Sequence, residues 1–193
     1  MRRAWDRRPL TVKGEHLILE HFNSDISVSE VDFSTTEFWI QIHGLPLNRR
    51  SEENALKIGS MVGRALETNF VGPVSGIWKR SVRVRVEVDI SCPLVLGFLL
   101  EREQLPDLRI PFKFEKLGNF CFGCGMLGHD QHDYQDKGVQ TLLREGVNFS
   151  FFGRWLRANN DEFQPSINLE TLLNPDMAEC TKGNRLQMKV TLM

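Results

Sequence analysis

Tyrosine is almost absent from this chain: Tyr134 is the single one among 193 residues. No stretch approaches the roughly 18 to 20 consecutive apolar residues that a membrane helix needs, and the first residues hold no apolar signal-peptide core. These absences predict an intracellular protein, nuclear or cytoplasmic, with no membrane partner. Excess charge is missing too, since 24 lysines and arginines oppose 25 aspartates and glutamates for a formal net charge of -1. That balance excludes a global polycation, so any contact with nucleic acid must come from local basic patches. Cysteine is scarce, at four residues, Cys92, Cys121, Cys124 and Cys180. In a reducing compartment they are expected to stay unbridged, and a C-x-x-C pair then points to metal or redox chemistry. Catalytic motifs are lacking as well: there is no phosphate loop, no H-E-x-x-H, no nucleophile elbow and no recognisable carboxylate pair. The C-x-x-C has no following helix in a βαβ setting, which argues against a redox site. The expectation is a protein that is not an enzyme and takes no small-molecule substrate.

What is present, 41% hydrophobic and 25% charged, is the composition of a globular chain. The opening MRRAWDRR sets four arginines against one aspartate, and WKRSVRVRV (78–86) carries Lys79, Arg80, Arg83 and Arg85 with no acid. Taken singly, such runs are as often solvated faces as binding patches. HLILEHF (16–22) has the look of a short strand, with a turn at Asn23-Ser24-Asp25. FWIQIHGLP (38–46) alternates Phe38, Ile40 and Ile42 against Trp39, Gln41 and His43, the pattern of a strand with one buried face. Ser51 then offers an N-cap with Glu52 and Glu53 in the first turn, and Ala55, Leu56, Gly59 and Val62 follow at helical spacing up to Gly63, placed to end the helix. RALETNFVG (64–72) holds one or two short strands. SVRVRVEVDI (81–90) is the clearest strand, with Val82, Val84, Val86, Val88 and Ile90 on one face. GFLLERE (97–103) and RIPFKFEKL (109–117) supply two more. The sum is an α+β fold, a small mostly antiparallel sheet with one covering helix. Residues 137–193 show no sustained periodicity and are expected to be a loosely ordered, irregular tail.

CFGCGMLGHDQHDY (121–134) carries the chemistry. Zinc needs converging soft or borderline ligands, and C-x-x-C lets one tight turn aim Cys121 and Cys124 inward. Four residues on comes His129, with Gly125 and Gly128 giving the backbone freedom that a miniature fold requires. A fourth ligand falls due at position 134, where Tyr134 stands; its phenol, with a reference pKa of about 10, is a poor substitute for a thiolate. His132 or Asp133 are the other candidates, and a three-ligand site closed by solvent is chemically sound.

The segment resembles the plant C-x2-C-x4-H-x4-C zinc knuckle. EKLGNFCFGCGMLGH (115–129) is similar to the way such knuckles are approached, VDFSTTEFWIQIHGLP (31–46) to the sequence upstream, and FFGRWLRA (151–158) to the stretch that follows. The resemblance runs over roughly residues 10–158 and is to proteins derived from LINE-type retrotransposons, in which a plant domain of unknown function precedes the knuckle. It implies binding of single-stranded nucleic acid, RNA or DNA, with zinc as a structural metal and no catalysis. It also implies a division into a remnant of an upstream domain (1–30), a small α+β domain (31–117), the zinc-knuckle-like segment (118–136) and the C-terminal region (137–193), with the chain truncated at its front.

The residues agree on a mechanism. Phe122 and Met126 would stack on unpaired bases, while Lys79, Arg80, Arg83, Arg85, Lys113 and Lys116 would contact phosphates without reading sequence. Asp130, Asp133 and Asp136 crowd the far side of the knuckle with the wrong sign of charge. The alternative is therefore a degenerate remnant that binds nothing, or a protein-interaction domain with an impaired zinc site. Phe112, Phe114, Phe120, Phe149, Phe151 and Phe152 are expected in the core, and Trp39 and Trp155 as packing anchors. His16, His21 and His43 have no partner pattern and are expected to be ordinary strand or surface residues.

Overall fold

The computed structural model of the chain describes residues 2–21, 24–70, 80–129, 152–162, 189–190 and 192. Lys79, Asp130, His132, Asp133, Tyr134, Asp136, Phe149, Phe151 and Cys180 fall outside them, and so do the expectations that rest on those residues. The described elements are α1 (Arg2–Trp5), β1 (Leu10–Val12), β2 (Glu15–Leu17), β3 (Thr35–His43), α2 (Glu52–Val62), β4 (Arg64–Thr68), β5 (Ser81–Asp89), β6 (Gly97–Leu100), β7 (Leu108–Phe114) and β8 (Lys189–Val190). The main sheet runs β4-β5-β3-β7-β6-β8, antiparallel at every pairing except β6–β8, so the expected α+β architecture is the one observed.

Strict alternation in β3 and β5 fixes their register. Phe38 faces Val86, Ile40 faces Val84 and Ile42 faces Val82, and these six side chains are at most 5% exposed. A one-residue slip would turn the whole set to the other face, which is why the register is unambiguous. α2 covers this apolar face. Its first turn is capped by the Ser51 hydroxyl, which accepts from the Asn54 N–H at 3.1 Å, and Glu52 and Glu53 complement the dipole there. Its buried stripe is Ala55, Ile58, Gly59 and Val62.

Gly63 ends α2 for a reason other than the expected one. Its φ of -178° is extended, and a Cβ at this position would lie 2.0 Å from the Glu87 carbonyl oxygen. Closeness of the chain to β5, rather than a left-handed turn, demands glycine here.

β2 is shorter than the strand expected over 16–22 and pairs with β1 in a separate two-stranded sheet. The reason is its partners. Gly118 donates its N–H to His16 Nε2 at 2.9 Å, Asn119 donates its N–H to the Gly14 carbonyl at 2.7 Å, and Asn119 Nδ2 donates to Glu15 at 2.8 Å. The hairpin therefore grips the stretch between β7 and Cys121. Within the region expected to be irregular, residues 152–162 pack: Phe152 and Leu156 are at most 1% exposed, and Ala158 donates its N–H to Phe114. Cys92, expected to be unbridged, is disulfide-bonded.

The face of the sheet away from α2 carries a charge network. Arg85 pairs with Glu37 at 2.5 Å and Glu67 at 2.9 Å, Arg8 with the other Glu37 oxygen at 2.7 Å, and Arg64 with Glu87 at 2.7 Å. Arg83 pairs with Glu115 at 2.6 Å while lying over the Trp39 ring at 4.5 Å, and Gln41 donates to the second Glu115 oxygen. Trp39 is a packing residue as expected, but what it packs against is a guanidinium.

Burial lowers the pKa of His16 and of His43 below the ordinary histidine value of about 6.5; Glu15 opposes this at His16, while Arg157 at His16 and Lys113 at His43 add to it. A histidine with a depressed folded pKa binds its proton more readily when unfolded. Stability is accordingly highest above about pH 6.5 and falls as pH drops through the folded values. Urea titrations at a series of pH values should show this slope reduced in His16→Gln. An unchanged slope would mean that His16 titrates no differently in the folded chain.

Candidate metal centre and nucleic-acid interface

β7 ends at Phe114, and Lys116, with φ of +53°, turns the chain toward the cysteines. Phe120 and Leu127 bridge across the loop between them, and both are buried, at 4% and 9% exposed. Inside this small hairpin Cys121 donates its N–H to the Met126 carbonyl at 2.9 Å, and Gly125 donates back to the Cys121 carbonyl at 2.8 Å. Gly125 is the hinge. Its φ is +78°, and a Cβ there would meet the Phe152 ring at 2.2 Å, so glycine serves both the turn and the ring seated against it. Leu94 donates its N–H to the Gly125 carbonyl at 3.0 Å, and Arg157 donates to the Gly118 carbonyl at 2.9 Å.

This scaffold brings three expected ligands together. The donor atoms of Cys121, Cys124 and His129 all lie within 4.8 Å of one another, and Cys124 Sγ is 3.2 Å from His129 Nε2. With Zn–S about 2.3 Å and Zn–N about 2.0–2.1 Å, a tetrahedral site has ligand-to-ligand edges of about 3.5–3.8 Å, so the cluster fits zinc with small adjustments. Two thiols and an imidazole are also the donor types zinc favours. Burial pushes the Cys124 thiol up to about 11, the Met126 amide opposing that rise and the neighbouring Cys121 adding to it. At neutral pH metal must therefore displace a proton from Cys124, and affinity rises with pH.

Phe122 and Met126 flank the cluster half-buried, Phe122 with its ring 5.0 Å from that of Phe120. Arg80 is exposed at the start of β5. Arg83 and Arg85 sit on the charged sheet face, already paired with carboxylates. Lys113, expected as a phosphate contact, is 2% exposed and donates to the Glu162 carbonyl at 2.8 Å and to that of Asn160. Its position between the inward-facing Phe112 and Phe114 placed it on the polar face, but residues 157–162 cover it. Lys116 remains exposed, and its Nζ donates to the Arg7 carbonyl at 2.6 Å, which puts the basic N-terminal stretch beside the approach to the knuckle. The sequence reading missed the parts played by Phe152, Arg157 and His16, whose partners lie tens of residues away along the chain.

Comparison with known proteins agrees with this geometry. Residues 88–136 match the zinc knuckle family. The chain is similar to an uncharacterized protein of Arabidopsis thaliana, 25% identical over 111 residues, which are 58% of this chain and 35% of that protein. The chain thus spans about a third of the length of this relative. No solved structure matches it.

Proposed function

We propose that the chain binds single-stranded nucleic acid through a zinc knuckle formed by Cys121, Cys124 and His129, as part of a retroelement-derived protein. The observation that carries the reading is the convergence of the three donor atoms within 4.8 Å, in a segment that matches the zinc knuckle family. Beside it, Phe122 and Met126 offer apolar surface for unpaired bases, and the exposed Arg7, Lys116 and Arg154, with Arg80 farther off at the start of β5, offer phosphate contacts. Arg83 and Arg85 have a lesser share, because a phosphate would have to compete with Glu37, Glu67 and Glu115.

The test is fluorescence anisotropy of a labelled single-stranded RNA with zinc-loaded protein over a series of salt concentrations. Affinity should fall steeply with salt, and Phe122→Ala should weaken binding by about 1–3 kcal/mol, the worth of one stacked base. Binding indifferent to both would remove the reading. The pairing of Arg83 and Arg85 favours a second one, a protein-interaction unit or remnant that binds no nucleic acid. It predicts no binding to the RNA at any salt.

A further inference from the structure

We propose that His16 is a proton-operated latch: as a neutral imidazole it holds the β1–β2 hairpin on the stretch leading into Cys121, and by taking up a proton in mild acid it releases that hairpin. The inference goes beyond the function proposed above and needs neither bound metal nor RNA.

The contact accommodates one protonation state. His16 Nε2 accepts the Gly118 N–H at 2.9 Å, so the single proton of the neutral ring sits on Nδ1. A second proton would go on Nε2 and set two donors against each other. Gly118 is buried, so its N–H, deprived of this acceptor, reaches water only if the hairpin lifts.

The fit is close on both sides of the bond. A Cβ on Gly118 would lie 2.3 Å from the Gly14 carbonyl oxygen, 3.1 Å from His16 Nε2 and 3.1 Å from Thr11 Cγ2, so the hairpin is seated directly on the backbone there. The His16 ring meets Phe38 edge to face with centroids 5.3 Å apart, and Phe38 is 0% exposed, which keeps the ring from swinging inward. Arg8, paired with Glu37 at 2.7 Å, anchors the chain ahead of β1. The moving unit is therefore residues 10–17, held at its far end by Asn119 through the Gly14 carbonyl and the Glu15 carboxylate.

Two charged groups act on the ring, Glu15 from β2 and Arg157 from the segment that follows Phe152. Glu15 is engaged with Asn119 Nδ2 at 2.8 Å and Arg157 with the Gly118 carbonyl at 2.9 Å. Burial disfavours the imidazolium in the docked hairpin, Glu15 opposes that and Arg157 adds to it, and the balance lowers the pKa. A released ring titrates near the ordinary value of about 6.5. Docking is accordingly at full strength above about pH 6.5 and weakens as pH falls through the docked value.

Hydrogen–deuterium exchange on the full chain tests this, with EDTA present so that thiol protonation cannot enter through a metal. After correction for the intrinsic pH dependence of exchange, protection of residues 10–17 and of Gly118 and Asn119 should drop between about pH 7.5 and about pH 5.5, by up to about tenfold, the limit set by a released pKa of about 6.5. β3, β5 and α2 should keep theirs. In His16→Gln, whose amide oxygen can accept from Gly118 but does not titrate, protection of the hairpin should be the same at both pH values. No drop in the wild-type chain overturns the inference, as does an equal drop in His16→Gln or one spread evenly over β3, β5 and α2. NMR of the wild-type chain keeps the test open even if glutamine fails to seat: the His16 ring and the Gly118 amide should titrate with one midpoint, and two separate midpoints overturn the latch.

Discussion

Cys121→Ser is expected to weaken zinc binding by about 3–5 kcal/mol, one third of the roughly 10–16 kcal/mol typical of structural zinc, or about 10^2- to 10^4-fold in Kd. The size follows from the donor count. With three donors converging, each carries a larger share than in a closed four-ligand site, and a serine hydroxyl at a position 0% exposed cannot replace a thiolate. Competition with a chromophoric chelator measures it. Tyr134→Cys should move affinity by a similar amount in the opposite direction. In the wild-type chain affinity should climb with pH, by about tenfold per unit for each thiol proton displaced, because Cys124 holds its proton up to about 11. The thermal transition of the sheet should change little in Cys121→Ser, since β3, β5 and α2 form their core without the metal. Retention of stoichiometric, tight zinc by this variant would show that the cluster is not the metal site.

Gly125→Ala is expected to cost about 2–4 kcal/mol of stability, well beyond the roughly 1–2 kcal/mol of a left-handed backbone alone. The excess comes from Phe152. A Cβ on Gly125 would lie 2.2 Å from the ring's Cε1 and 2.3 Å from its Cζ, and the ring is 0% exposed, so it can move only by leaving the core. Gly128→Ala is the control. Its φ of +88° is just as unfavourable for a side chain, but nothing lies within 4 Å of the added carbon, so only the backbone penalty applies. Urea denaturation of both variants decides the matter. Equal losses would mean that contact with Phe152 contributes nothing to the seating of the knuckle. Gly125→Ala should also weaken zinc binding, since the turn between Cys121 and Met126 sets the spacing of the thiols.

Much of the fold was legible along the chain because its elements announce themselves locally. SVRVRVEVDI alternates with period two and is β5; the Ser51-Glu52-Glu53 start and small-residue stripe are α2. The clustering of the candidate donors was legible too, since Cys121, Cys124 and His129 lie within nine residues and one hairpin can converge them. The arginines were not. Arg83 and Arg85 look like a cationic stripe when read along β5, but β3 and β4 bring Glu37 and Glu67 beside Arg85, and Glu115 closes on Arg83. Those acids stand between 18 and 48 residues from the arginines they meet, beyond any local window. Lys113 was misread for a similar reason, covered by a segment more than forty residues away.

Spacing by itself singled out the candidate donor set, because two thiols and an imidazole around tight turns need only neighbouring chain to converge. It also settled that the fourth position holds a phenol. Tertiary structure decided how the knuckle is held: by Phe152 against Gly125, by the His16 hairpin on Gly118 and by Leu94. Burial and backbone pairing between distant segments, which no local pattern encodes, turn a loop that metal would otherwise have to fold into part of a packed domain.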